Sequence, residues 1–266
     1  MKFSRIYSIF LRQVFLMRSN PVRFINIFTW TIFDIIQWGF ITKYLGGFGG
    51  AVFSAVTVIL GSIVLWGFMS RIQQGIMSSF LEDIWSQNFI NFFASPLKVK
   101  EYLLGLILTS VVTSAIALMA TFLLAILVFG YNILVLGLYI LPFLFILFIF
   151  GVAMGLFITG LIFRLGPSAE WLGWPIPMIM SIFVGVFYPI SVLPHALQMV
   201  SKALPPSYVF ESIRMIIAGN YNIWGNLSAA FLLALVYLFV TYLIFLRVYY
   251  RNLKTGAITR FNAEAV

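Results

Sequence analysis

LLGLILTSVVTSAIALMATFLLAILVF, residues 103–129, contains no charged residue from end to end. A helix rises about 1.5 Å per residue and the hydrocarbon core of a bilayer is about 30 Å thick, so roughly 20 apolar residues suffice to cross it. This run exceeds that length. Gly130, Tyr131 and Asn132 separate it from a second uncharged run, residues 133–162. Two over-long apolar runs joined by so short a link read as a tilted helical hairpin with a tight turn.

Working outward with the same criterion, six runs emerge: 24–42, 51–70, 103–129, 133–162, 174–191 and 227–246. The fifth is set apart by Pro175 and Pro177 at its start. Composition agrees, since 62% of the chain is hydrophobic and 9% charged, with a mean hydropathy of +1.07. A soluble domain is about 45–50% apolar and about 25% charged, because water must meet polar groups. The expected fold class is an all-α integral membrane protein, with residues 1–266 forming one membrane domain.

The charges set an orientation. Placing the N-terminus inside puts thirteen Lys and Arg residues on the inner segments and leaves Lys43, Lys202 and Arg214 outside. That bias predicts a multi-pass protein of the cell (plasma or inner) membrane with both termini cytoplasmic. The net charge of +9 is then topology and attraction to membrane lipid, with no nucleic-acid footprint. Cysteine is absent, which removes disulfides and thiolate metal sites. Residues 1–23 lack a small-residue cleavage site and are interrupted by Arg12 and Arg18, so no signal peptide is expected. Arg5, Ser8 and Arg12 share one helical stripe, and Ile6, Phe10, Val14 and Met17 share another. This pattern predicts an interfacial helix on the inner leaflet.

Two segments between the spans have enough length to fold. The inner one is EDIWSQNFINFFASPLKVKE, residues 82–101. Read as a helix, it places Trp85, Phe89, Phe92 and Phe93 on one face and Asp83, Gln87 and Asn91 on the other, with Ile90 spoiling the polar side. Glu82 and Asp83 are expected in its first turn, where the helix dipole favours acids, and Ser95-Pro96 ends it. Its pattern suits a helix resting on the membrane as well as a docking element. The outer segment, residues 188–220, is cut by Pro189, Pro194, Pro205 and Pro206 into two short helices near 195–203 and 207–217. Too apolar for a solvated loop and too short to span, it reads as re-entrant or as a plug over a cavity. Glu211 and Arg214 sit at i, i+3 within it, where the ordinary outcome is a surface pair of little energetic weight.

Residues that could carry chemistry are few. No GxxxxGK[ST] phosphate loop occurs, so the chain is not expected to hydrolyse ATP by that route. His195 is the single histidine, which excludes His-pair metal sites and leaves no elbow serine for it to serve. Asp34 is the one carboxylate deep in a span, on a stripe with Trp30, Thr31, Gln37, Trp38 and Ile41. An intramembrane acid marks either a substrate path or a buried interhelical contact, and both readings stay open. Gly151, Gly155 and Gly160 offer a small-residue face for helix packing. Glu170, in the inner GPSAEW turn, is placed either to pair with Arg164 or to touch a partner, and both readings stay open.

Three passages carry a family likeness: SPLKVKEYLLGLIL (95–108), RLGPSAEWLGWPIPM (164–178) and FYPISVLPHALQMVSKALPPSYVFESIRMI (187–216). Together they resemble the ABC type-2 exporter permeases, which show a similar YPxSxLP run, a proline-broken segment and a helix running from an acid to an arginine. The likeness covers nearly the whole chain. It implies six transmembrane helices with an N-terminal interfacial helix, a cytoplasmic coupling helix and a proline-broken re-entrant outer segment. It also implies a path built with a second copy of the chain and two copies of a separate ABC ATP-binding subunit. ATP and Mg would then sit on that partner, and no cofactor or metal on this chain. The coupling helix falls on Glu82 to Pro96, including Asp83, Trp85, Gln87, Phe89 and Asn91. The outer segment, with Pro189, Pro194, Glu211 and Arg214, would cap the path.

Two other classes compete. A proton-coupled secondary carrier would use Asp34, and an integral-membrane lipid-modifying enzyme would need clustered acids or histidines. Seven acidic residues and one histidine in the whole chain fit the enzyme poorly. Aromatic residues make up 18% of the chain and would suit an apolar or amphipathic substrate, while equally serving lipid contact or interfacial belts.

Overall fold

The computed structural model describes residues 2–19, 21–46, 50–86, 92, 95–130 and 133–255. Among them there is no strand. The helices are α1 (Phe3–Ser19), α2 (Pro21–Gly46), α3 (Gly50–Trp85), α4 (Val99–Phe129), α5 (Ile140–Leu165), α6 (Pro175–Phe183), α7 (His195–Lys202), α8 (Pro205–Ile217) and α9 (Trp224–Thr255). Short 3-10 segments, Ile133–Tyr139 and Pro167–Gly173, lead into α5 and α6.

Among the described residues, three helical stretches are long and apolar enough to cross a membrane: Val99–Phe129, Leu136–Leu165 and Trp224–Thr255. They fit a multi-pass membrane location. The opening run is α4, and its ends have local causes. The Lys98 N–H donates to Glu101 Oε2 at 3.1 Å, which satisfies one of the unpaired amides of the first turn. At the other end Gly130 turns left-handed (φ 62°) and its N–H donates to Ile126 O at 3.0 Å, a stop that a residue with a Cβ adopts at a cost.

α5 is the axis of the bundle. Most of its apolar stretch is buried, whereas less than a quarter of that of α4 and of α9 is. α3 and α9 pack along α5, and α4 packs on α3. Gly151 and Gly155 make the α3 contact close: a Cβ at Gly151 would stand 2.9 Å from Met69 O, and one at Gly155 2.8 Å from Ile76 Cδ1. Backbones approach this closely only where side chains are missing. Gly160 is looser, with Phe245 Cα at 3.8 Å.

Two expectations are corrected. The run 174–191 is not one spanning helix: α6 holds nine residues, which rise only about 13 Å against a core of about 30 Å. Pro175 suits a helix start, because its missing N–H would be unpaired there anyway. The stop comes from the left-handed Gly185 (φ 75°) just beyond Phe183. The second correction concerns α3, which has 36 residues and runs well past the expected end of its span at residue 70. Ile72, Ile76, Phe80 and Ile84 keep one face buried through this extension, so packing carries the helix on to Trp85. Arg71, one of the thirteen basic residues expected on the inner segments, therefore lies inside a continuous helix.

Candidate functional site

The extension of α3, the start of α4 and α1 meet in a charged junction. Asp83 is fully buried there. Arg12 Nη1 donates to Asp83 Oδ1, and the Tyr102 hydroxyl donates to Asp83 Oδ2 at 2.6 Å. Burial pushes the Asp83 carboxyl above the usual carboxylate range, while the Arg12 charge and the two hydrogen bonds oppose that rise. The same guanidinium lies 4.9 Å from the centre of the Phe92 ring, within cation–π range. Beside it, the buried Glu101 accepts from the Lys2 N–H at 2.8 Å and from Arg5 Nη1 at 3.3 Å. Arg5 Nη1 also donates to the Pro96 carbonyl at 2.6 Å.

The stripes of α1 therefore face differently from the sequence expectation. Arg5 and Arg12 point at buried acids of the bundle rather than at water. Ile6, Ile9 and Gln13 are buried, and Ile9 fills the space over Gly105, where a Cβ would meet Ile9 Cβ at 2.6 Å. Phe3, Tyr7, Val14 and Phe15 remain exposed, an apolar face available to lipid.

The expected coupling helix is redistributed. Glu82, Asp83 and Trp85 occupy the last turn of α3, not the first turn of a new helix. The dipole there disfavours acids, and Arg12 supplies the compensation for Asp83. Asp83 thus faces inward, Glu82 is half-buried, and Trp85 and Pro96 are exposed. Gln87, Phe89 and Asn91 lie outside the described residues.

Further along α3 from the junction, the exposed Asp34 and the half-buried Arg71 line one small cavity with Ser114 and Thr121, and their charges attract across it. Of the stripe around Asp34, Trp38 stacks on Phe187 with ring centres 4.7 Å apart. Gln37 is exposed, and the side chain of Trp30 lies outside the described ones.

The outer segment folds into the two short helices expected, α7 and α8. The Glu211–Arg214 pair, however, is no solvated surface pair. Arg214 Nη2 donates to the Gly185 carbonyl and, at 3.0 Å, to the Tyr188 carbonyl, while Nη1 reaches Glu211 Oε1 at 3.3 Å. That same carboxylate oxygen accepts the Ile190 N–H at 2.9 Å. Burial lowers the Arg214 pKa, and the Glu211 charge works in the other direction. Pro189 and Pro194 precede the short helices at Ile190 and His195. Ser201 Oγ donates to the Phe183 carbonyl at 2.6 Å, tying α7 to the end of α6.

Sequence reading overlooked Arg5, Arg12, Tyr102, Glu101 and Arg71 as partners. The available signal was the pairing of two acids, 83 and 101, with two arginines seven positions apart on α1. Among the described residues no cluster of His, Cys, Asp and Glu is suited to a metal ion.

Comparison with protein families matches residues 5–218 to the ABC-2 type transporter family. The match includes the junction, the Asp34 stripe and the outer segment, and ends just after α8. No curated protein matches the sequence.

Proposed function

Because the chain belongs to the ABC-2 type transporter family, and is a transmembrane permease of that kind, we propose that it serves as the membrane half of an ATP-driven exporter. Two copies form the translocation path, and two separate ATP-binding subunits dock at the Glu82–Pro96 junction. ATP and Mg reside on those subunits. Both termini face the cytoplasm.

The observation that carries this reading beyond the family is the bracing of the junction. A motor outside the membrane moves a permease only if the docked element is stiff. Here α3 runs unbroken from Gly50 to Trp85, so the fifteen residues from Arg71 to Trp85 form a rod of about 21 Å. Arg12 ties the end of that rod to α1, and Arg5 ties α1 to Pro96 and Glu101. Displacement at the exposed Trp85 and Pro96 is therefore passed to α1, α3 and α4 together, and along α3 to the Asp34–Arg71 cavity. The Arg214 brace supports a second role: the turn at Gly185–Ile190 is held against α8 as a cap over the outer end of the path.

The test is affinity purification of the tagged chain in mild detergent. Recovery of a phosphate-loop ATPase in near-equal amount supports the proposal. A chain that purifies alone and still moves solute in proteoliposomes refutes it.

A further inference from the structure

At the end of the bundle where α5 and α9 finish, Arg164, Arg247, Arg251, Asn252 and Thr255 surround a cavity of about 540 Å³ whose remaining lining is Ile244 and Val248. Three guanidinium groups thus converge on one space from two helices. Among the described residues no carboxylate pairs with any of them: the ion pairs formed belong to Arg5, Arg12 and Arg214. Arg247 and Arg251 stand at i, i+4, where like charges repel. Arg164 lies in the last turn of α5. A basic residue at each helix end would satisfy the C-terminal dipoles; placing three around one cavity adds repulsion that a bound anion relieves.

Along α9 the apolar Ile244 and Val248 alternate with Arg247 and Arg251, and Thr255 follows about one turn beyond. Asn252 fixes the wall, its amide donating to the Phe163 carbonyl near the end of α5. Basic side chains interleaved with apolar ones match a phosphate group with attached hydrocarbon.

We propose that this cavity binds the headgroup of an anionic glycerophospholipid, with the phosphate on Arg164, Arg247 and Arg251 and the proximal acyl chain along Ile244 and Val248. Basic pockets between helices at a membrane surface hold such headgroups through charge and desolvation. The proposal requires only that this end of α9 meets a membrane surface, and it stands apart from whether an ATPase docks.

The purified full chain is examined by native mass spectrometry and by thermal melting in detergent with added short-chain phosphatidylglycerol, phosphatidylcholine or inorganic phosphate. Retention of phosphatidylglycerol over phosphatidylcholine, with a raised melting temperature, is expected. Arg247→Gln/Arg251→Gln should lower that preference about tenfold or more, and Arg164→Gln alone by less. Lys202→Gln, at the far end of the molecule, should leave it unchanged. Stabilisation by inorganic phosphate equal to that by phosphatidylglycerol would keep the anion site and overturn the lipid assignment. Equal retention of both lipids by the native chain, or an unchanged preference in folded Arg164→Gln, overturns the proposal outright.

Discussion

Arg12 and Asp83, separated by 71 positions, close an ion pair that fastens the N-terminal helix to the end of α3. The pair is lopsided: the Asp83 side chain is fully buried, while that of Arg12 keeps 23% of its exposure. Removing one partner of a buried pair costs about 3–5 kcal/mol when a charge is stranded without solvent. Arg12→Ala strands Asp83 and should sit at the upper part of that range. Asp83→Asn leaves an arginine that can turn to water, and it should cost clearly less. Thermal melting of the two single variants in detergent checks the order, and equal losses would show that Asp83 finds other compensation.

Gly151 and Gly155 make the second prediction. A methyl group at either position presses on α3, against Met69 O for one and Ile76 Cδ1 for the other. Overpacking of this kind costs about 1–3 kcal/mol. Gly151→Ala should be the more damaging, because a backbone carbonyl yields less than the tip of an isoleucine. Gly67, in the same region of α3, has open space where its Cβ would go, so Gly67→Ala should not lower the melting temperature.

The elements legible from sequence were those decided by one local property. The uncharged run 103–129 needed only its length, and α4 ends at Gly130 as the glycine predicts. Pro194 and Pro205–Pro206 cut the outer segment where proline must. The errors arose where two properties compete. Residues 174–191 are apolar throughout, yet a hydrophobic run does not distinguish helix from turn, and the break at Gly185 depends on Arg214 holding the turn from another helix. Glu82 and Asp83 look like a helix start because acids favour N-termini; their place at the end of α3 depends on Arg12, which sequence spacing does not bring near.

Arg214 gives a third prediction through geometry more than charge. Its guanidinium serves the Gly185 and Tyr188 carbonyls and the Glu211 carboxylate at once. A lysine keeps the charge and lacks the planar fork. Arg214→Lys should therefore recover little of the stability lost in Arg214→Ala, where each charge-assisted bond contributes about 1.5–3 kcal/mol. Protease cleavage within 185–194 should rise in both variants. A lysine variant that melts like the native chain would reduce the interaction to simple ion pairing.

Asp34 and Arg71 separate the transport mechanisms. They line the same cavity, walled by α2, α3 and α4, so the pair is suited to holding α2 against α3, and a proton carrier would instead need the carboxyl to change its charge in every cycle. Asp34→Asn keeps the shape and removes the charge. In a motor-driven permease it should leave transport in proteoliposomes dependent on ATP and lower stability, since Arg71 loses its counter-charge in the bundle. Restoring stability with Asp34→Asn/Arg71→Gln, with transport retained, would assign the pair to structure. If the single variant melts normally and abolishes solute movement driven by a proton gradient, the acid belongs to the transport step and the motor is not needed to explain it.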